Sequence, residues 1–189
     1  SIQHFLSAKL INKIYFISQA PIVWTLHDIA PITGGCHFNN HCERYTVNCG
    51  NCPQLQLSHK NDLSRQVWSK KNKYLKELPI TLVALTSNSE KQIKQSSLFG
   101  KHKIKKILLS VEKHISNNID QNLAREVLRL PQDKKIILFG CFNLDDNRKG
   151  AHKLLEACVL LPKIFQLQKE KIKNSITLLT FGLKKNFNA

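Results

Sequence analysis

The sequence predicts an α/β protein built on parallel strands. Two observations carry that expectation. Five short runs rich in β-branched and aromatic residues recur along the chain. Between them lie segments whose apolar residues fall at helical intervals. Buried strands that alternate with helices belong to parallel sheets covered by helices. The 189 residues suffice for one ordinary domain or for parts of two. A hydrophobic share of 42% supports a real core.

The elements follow in order. Residues 4–17 (HFLSAKLINKIYFI) predict a helix packing one face on a sheet, and Pro21 interrupts it. Ile22 to Leu26 (IVWTL) predicts a buried strand ending at His27-Asp28. Residues 29–58 hold Pro31, Gly34, Gly35, Gly50, Pro53 and four cysteines, and show no period. A loop of that length inside a domain is uncommon unless it is functional or cross-braced. Residues 61–77 predict a basic helix closed by Pro79, and 80–85 (ITLVAL) a second strand. Ser87-Asn88-Ser89-Glu90 then predicts a capped helix start, with Ser or Asn as the cap. Strands are expected at 104–109, 135–141 and 175–181, and helices at 121–130 and 149–161. A composition shift over 111–134 marks the expected boundary between two halves, 1–110 and 135–189.

The formal net charge is +16, with 24 Lys against 5 Arg. Codon bias is the bland explanation. Attraction to an anion is the functional one: a nucleotide diphosphate, an acidic membrane surface or nucleic acid. The excess is spread from Lys60 to Lys185 and discriminates poorly. No apolar run reaches the length of a membrane span, while peripheral attachment through a basic face stays open. The chain contains no Met and starts at Ser1, with no export signal. The expectation is that natural residues precede Ser1 and that the compartment is reducing.

Three motifs carry chemistry. His27-Asp28 follows a strand, and ligands of α/β sheets bind at carboxyl strand ends. A histidine there can contact a sugar hydroxyl or carry a proton, although an ordinary loop histidine is the commoner case. Cys36, Cys42, Cys49 and Cys52 are separated by five, six and two residues. The Cys49-Gly50-Asn51-Cys52 pair has knuckle spacing for zinc, and four thiolates suit a structural metal without catalytic function. Disulfides and free packed thiols are the alternatives. The third motif is Asp145-Asp146-Asn147-Arg148-Lys149-Gly150, between a strand and a helix. Basic groups beside a helix N-terminus suit a diphosphate, and Gly150 allows close backbone approach. A solvated turn is the bland reading of the same six residues. Cys141 and Cys158 read as small buried hydrophobes.

Taken together, Val23-Trp24-Thr25-Leu26-His27-Asp28, Pro31, Thr33-Gly34-Gly35-Cys36-His37, Cys42 and Cys49-Gly50-Asn51-Cys52-Pro53-Gln54-Leu55 resemble a bacterial branch of the family 4 glycosyltransferases (glycosyl transferase group 1). Asp62-Leu63-Ser64-Arg65, Ser96-Ser97-Leu98-Phe99, Leu130-Pro131, Ile137-Leu138-Phe139-Gly140, Arg148-Lys149-Gly150 and Leu154-Leu155-Glu156-Ala157 continue the match. The resemblance covers roughly residues 20–160, and the cysteine segment is its specific part.

The resemblance implies parts of two Rossmann-like domains of the B-type glycosyltransferase fold, incomplete at both ends. It implies transfer of a sugar, with retention, from a nucleotide-diphosphate sugar to a polysaccharide or lipid-linked acceptor, with no metal in the transfer. His27 would contact the donor sugar. Arg148 and Lys149, beside Gly150, would neutralise the donor diphosphate. The expected location is the cytoplasm, with peripheral contact at the inner face of the plasma membrane; nucleic acid is not an expected partner. The chain departs from the family in having Cys141 after Gly140 where an arginine is common, and Ser110-Val111-Glu112-Lys113 where a proline-asparagine-glycine turn is common. The family's paired glutamates fall outside this chain, and the fragment alone is expected to be inactive.

A different class, a basic zinc-knuckle module for nucleic acid, fits the charge and the cysteine pair loosely. Aromatics are only 7% and do not interleave with the basic residues as stacking platforms do. A decayed gene remnant is the third reading.

Overall fold

The computed structural model describes residues 6–110, 119–166 and 169–183. The start of the expected 4–17 helix and the first part of the expected 111–134 linker, with its Val111-Glu112-Lys113 departure, lie outside the described residues. The chain divides into two compact units, Ser1–Glu112 and Lys113–Ala189.

The first unit holds α1 (Ala8–Ser18), β1 (Ile22–Leu26), α2 (Leu63–Leu75), β2 (Ile80–Ala84), α3 (Ser87–Gln95) and β3 (Lys103–Lys106). Its sheet runs β1-β2-β3, all parallel, with Ile22 opposite Ile80 and Thr81 opposite Lys103. The central strand β2 buries Ile80, Leu82, Val83 and Ala84, so it reads as one apolar run. In β1 only Trp24 and Leu26 are buried, and the alternation of an edge strand is visible. The expected third strand at 104–109 starts at Lys103 instead and ends at Lys106. Ile107 still donates its N–H to the Ala84 carbonyl at 2.9 Å, and then Leu108 and Leu109 stand exposed off the ladder.

Helix boundaries follow local chemistry. Ser7 caps α1, and Gln19 closes it in the left-handed region two residues before Pro21. The cap of α3 is Thr86, one residue before the expected stretch Ser87-Asn88-Ser89-Glu90. Thr86 accepts from the Ser89 N–H, and the Ser89 hydroxyl answers to the Thr86 backbone, completing a reciprocal box. The core gathers Phe99, Leu98, Ile93, Leu82, Ile80, Leu75 and Ile32, with Trp24 edge-on to Phe99 at 6.4 Å.

The second unit holds α4 (Gln121–Val127), β4 (Lys135–Asn143), α5 (Ala151–Ile164), α6 (Lys169–Ser175) and β5 (Ile176–Leu183). β4 and β5 pair in parallel, with an irregularity between Gly140 and Asn143. The ring of Phe181 lies over Gly140, where a Cβ would stand 1.9 Å from it. α6 was not foreseen: KEKIKNS is a short polar run with no apolar stripe to announce it. Among the described residues of this unit only Leu144 and Ala151 form a fully buried centre, with Phe139, Cys141 and Leu155 packed on it. Cys141 and Cys158 are half-buried, less enclosed than their sequence context suggests. No helix among the described residues is long and apolar enough to cross a membrane.

Two outcomes follow from this packing. A Cβ on Gly34 would meet the Ser64 carbonyl oxygen at 2.4 Å and the Cys49 Cβ at 2.8 Å. Gly34→Ala is expected to destabilise the first unit by about 1–3 kcal/mol, read as a lower denaturant midpoint at unchanged slope. An unaltered midpoint would refute that close approach. The thin core of the second unit predicts that limited proteolysis cuts residues 119–183 before residues 60–110. Cleavage in the reverse order would show the core argument wrong.

Candidate functional site

The described site of the first unit is built at the carboxyl end of β1. His27, the first residue past the strand, is exposed. Asp28 turns inward. One carboxylate oxygen accepts the Ala30 N–H at 2.8 Å, and the other meets His37 Nδ1 at 2.7 Å. That contact fixes the imidazole's orientation, and an ionised Asp28 accepts from the Nδ1–H tautomer. The 3-10 turn Ala30–Ile32 that follows is buried, with Pro31 in its first turn.

Lys71 of α2 reaches under this turn. Its ammonium donates to the Ala30 carbonyl and, at 2.9 Å, to the Thr33 carbonyl. Burial pulls its pKa down to about 8, against the pull of Cys49, Cys36 and Asp28, which favour the charged form. A cavity of about 270 Å³ beside it is lined by Ser7, Trp24, Gly35, His37, Lys70 and Lys71, among others.

The cysteine loop folds back on the same end of the sheet. Cys36, Cys42, Cys49 and Cys52 all line one cavity of about 300 Å³. All are free thiols. Cys49 is buried, and its sulfur accepts the Gly34 N–H at 3.0 Å. Burial pushes the Cys49 thiol up to about 11; the Gly34 amide opposes the shift, and the other three cysteines add to it. Cys36 is likewise raised, first by burial, with a smaller push from Cys52 and Cys42. Thus Cys49 senses the charge of the other three members, and Cys36 that of Cys52 and Cys42. Among the described residues, no three His, Cys, Asp or Glu side chains stand close enough to hold a metal ion as they are.

Side chains of α2 with its cap, and of the two serines that follow α3, anchor this loop. Asp62 is only 2% exposed. It accepts the Cys52 N–H at 2.7 Å, the Ser64 hydroxyl at 2.7 Å and the Arg65 N–H at 3.1 Å, which makes it also the N-cap of α2. Burial pushes its carboxyl up, but these donors together outweigh that and hold it at about 2. Arg65 donates to the Asn48 side chain at 2.9 Å. The Ser97 hydroxyl donates to the Tyr45 carbonyl at 2.8 Å and receives the Trp68 indole N–H at 3.1 Å. The Ser96 hydroxyl reaches the Ile32 carbonyl at 3.0 Å. The loop's backbone is therefore satisfied by distant side chains in place of a ladder.

In the second unit, the Asp146–Gly150 turn joins the carboxyl end of β4 to α5. Asn147–Lys149 form a 3-10 turn, and Gly150 caps α5 with φ +79°, a left-handed conformation. Arg148 is turned onto Asp146, at 3.0 Å through Nε and 2.6 Å through a terminal nitrogen. The guanidinium holds the Asp146 carboxyl low, and the carboxylate holds Arg148 charged. Lys149 is exposed and adds to the field on Asp146.

The four cysteines of the sequence reading thus share one cavity, and His27 lies at the strand end expected for it. Arg148, Lys149 and Gly150 belong to the other unit. The sequence reading gave no role to Lys71, and none to His37 beyond its place in the motif. Nothing in a basic helix marks which lysine turns inward, and eight residues separate Asp28 from His37. No protein-family model matches this chain, and no curated protein or solved structure does.

Asp62→Ala is expected to lower stability by about 1–2 kcal/mol through the lost cap. The native carboxyl lies below its ordinary value. Its contribution is therefore complete above the ordinary aspartate range and is lost as pH falls toward about 2. The acid limb of a stability–pH curve should flatten in Asp62→Ala. Superimposable limbs would contradict the capping account.

Proposed function

We propose that the chain carries working parts of a retaining glycosyltransferase, acting on a nucleotide-diphosphate sugar and a polysaccharide or lipid-linked acceptor at the cytoplasmic face of a membrane. The sequence resemblance suggests it, and one structural observation carries it furthest. In each unit, the residues singled out for chemistry sit just beyond the carboxyl end of a parallel strand: His27 and Asp28 after β1, Arg148 to Gly150 after β4. That is where α/β sheets bind ligands, because helix N-termini and flexible loops converge there.

In this reading the donor diphosphate meets the N-terminus of α5. Backbone amides freed by the left-handed Gly150 cap would face its oxygens. Lys149 supplies a point charge. Arg148 is already held by Asp146, so a diphosphate must draw it away from that carboxylate or rely on Lys149. Neutralising the diphosphate makes it a better leaving group when the sugar–oxygen bond breaks. Within the first unit, the resemblance assigns His27 to a sugar hydroxyl, and the Asp28–His37 pair offers a second oriented imidazole there. No metal enters the transfer.

Calorimetric titration with uridine and guanosine diphosphate sugars tests the reading. One of them should bind saturably, and Lys149→Ala should weaken it by roughly 10- to 100-fold, the worth of a charge-assisted hydrogen bond. Failure of every donor to bind, or equal affinity in the variant, would overturn the proposed donor site.

A further inference from the structure

The cysteine cavity supports an inference separate from sugar transfer. Four thiols gathered around one space need an explanation in chemical terms. A purely packed loop would have no reason to bring polarisable, oxidisable groups to a single cavity from three stretches of chain. Cys36 follows a glycine pair, Cys42 lies past the left-handed Asn40 and His41, and Cys49 and Cys52 bracket Gly50 and Asn51.

The local backbone is set for thiolates. Gly50 (φ +134°) and Asn51 (φ +47°) both adopt left-handed values, the tight reversal that lets a Cys-x-x-Cys pair present both sulfurs to one side. The Gly34 N–H already points at the Cys49 sulfur, and the Cys52 N–H is pinned by Asp62. An amide aimed at sulfur is a weak bond to a thiol and a strong one to a thiolate. The Lys71 ammonium lies within electrostatic reach of Cys36 and Cys49, and so offsets part of the negative charge four thiolates would bring.

We propose that Cys36, Cys42, Cys49 and Cys52 form a structural tetrathiolate zinc site that closes when the metal binds. A Zn–S bond of about 2.3 Å places the sulfurs roughly 3.8 Å apart in a tetrahedron, and among the described residues no three ligands yet stand close enough to hold a metal. Closure needs the loop to contract onto the cavity, and Gly35, with positive φ and no close neighbour, has the freedom to absorb it. Each thiol gives its proton to solvent as its sulfur joins the metal, and no electron is transferred. Four thiolates fill the coordination sphere, so the metal has no open position for substrate. Its effect is to fasten the segment from Cys36 to Cys52, and with it His37, to the end of the sheet. This does not rest on the transferase reading; donor binding and zinc binding can each fail alone.

The test uses the whole chain, purified reduced, loaded with Zn²⁺ and desalted. Elemental analysis should give one zinc per chain. Cys42→Ser and Cys52→Ser should lose it, and Cys141→Ser and Cys158→Ser should keep it. Cobalt substitution guards against variants that merely misfold: the wild-type chain should show the intense sulfur-to-cobalt charge-transfer band of four thiolates. Chelation should then expose residues 37–58 to protease. Absence of zinc, retention of zinc by Cys42→Ser and Cys52→Ser, a cobalt spectrum of oxygen and nitrogen ligands, or a native mass short of two hydrogens per disulfide would each overturn the proposal.

Discussion

Asp62 is a carboxylate taken out of water, and the order of the whole β1–α2 connection depends on how it is satisfied. Its two oxygens divide their work. One caps α2 through Arg65 and holds the Ser64 hydroxyl; the other takes the Cys52 amide from the end of the loop. A buried charge with fewer donors would be costly, so the helix start and the loop end are obliged to meet. Lys71 repeats the device with opposite sign: an ammonium facing the carbonyls of Ala30 and Thr33. Between them these two groups clasp a segment that has almost no regular structure of its own.

The same logic explains why separated stretches of sequence share one neighbourhood. Asp62-Leu63-Ser64-Arg65 and Ser96-Ser97-Leu98-Phe99 are far from the cysteines along the chain. In space, Ser96 and Ser97 take the Ile32 and Tyr45 carbonyls, and Arg65 takes Asn48. Leu98 and Phe99 meanwhile seal the core beneath. A polar pair on an apolar pair is economical: hydroxyls hold the loop while the neighbouring side chains hold the sheet.

Much of this fold was legible in the sequence where one physical pattern dominated. IVWTL and ITLVA are apolar, β-branched and bounded by Pro and polar turns, and both are strands at the expected positions. Reading failed where the pattern was ambiguous. The apolar run Ile107-Leu108-Leu109 looked like strand interior, yet only Ile107 keeps a ladder bond. Lys105 and Lys106 pair as expected and Lys103 joins them, because an edge strand has a face open to water. For the candidate site, spacing alone selected the cysteines, which do share a cavity. It could not select Lys71, because inward burial of a lysine is decided by tertiary packing and leaves no periodic trace.

β1 pairs with β2 on one side, and among the described residues it has no partner on the other. A bare rim of amides and carbonyls is a template for another chain, and Val23 projects from that strand into solvent. The formal charge of +16 works against such pairing, since two copies repel before their edges can meet. That protection is only as long as the Debye length, about 10 Å at 0.1 M salt and 3 Å at 1 M. Concentrated salt, or a polyanion that neutralises the lysines, therefore lowers the barrier to self-association while leaving the apolar core packed.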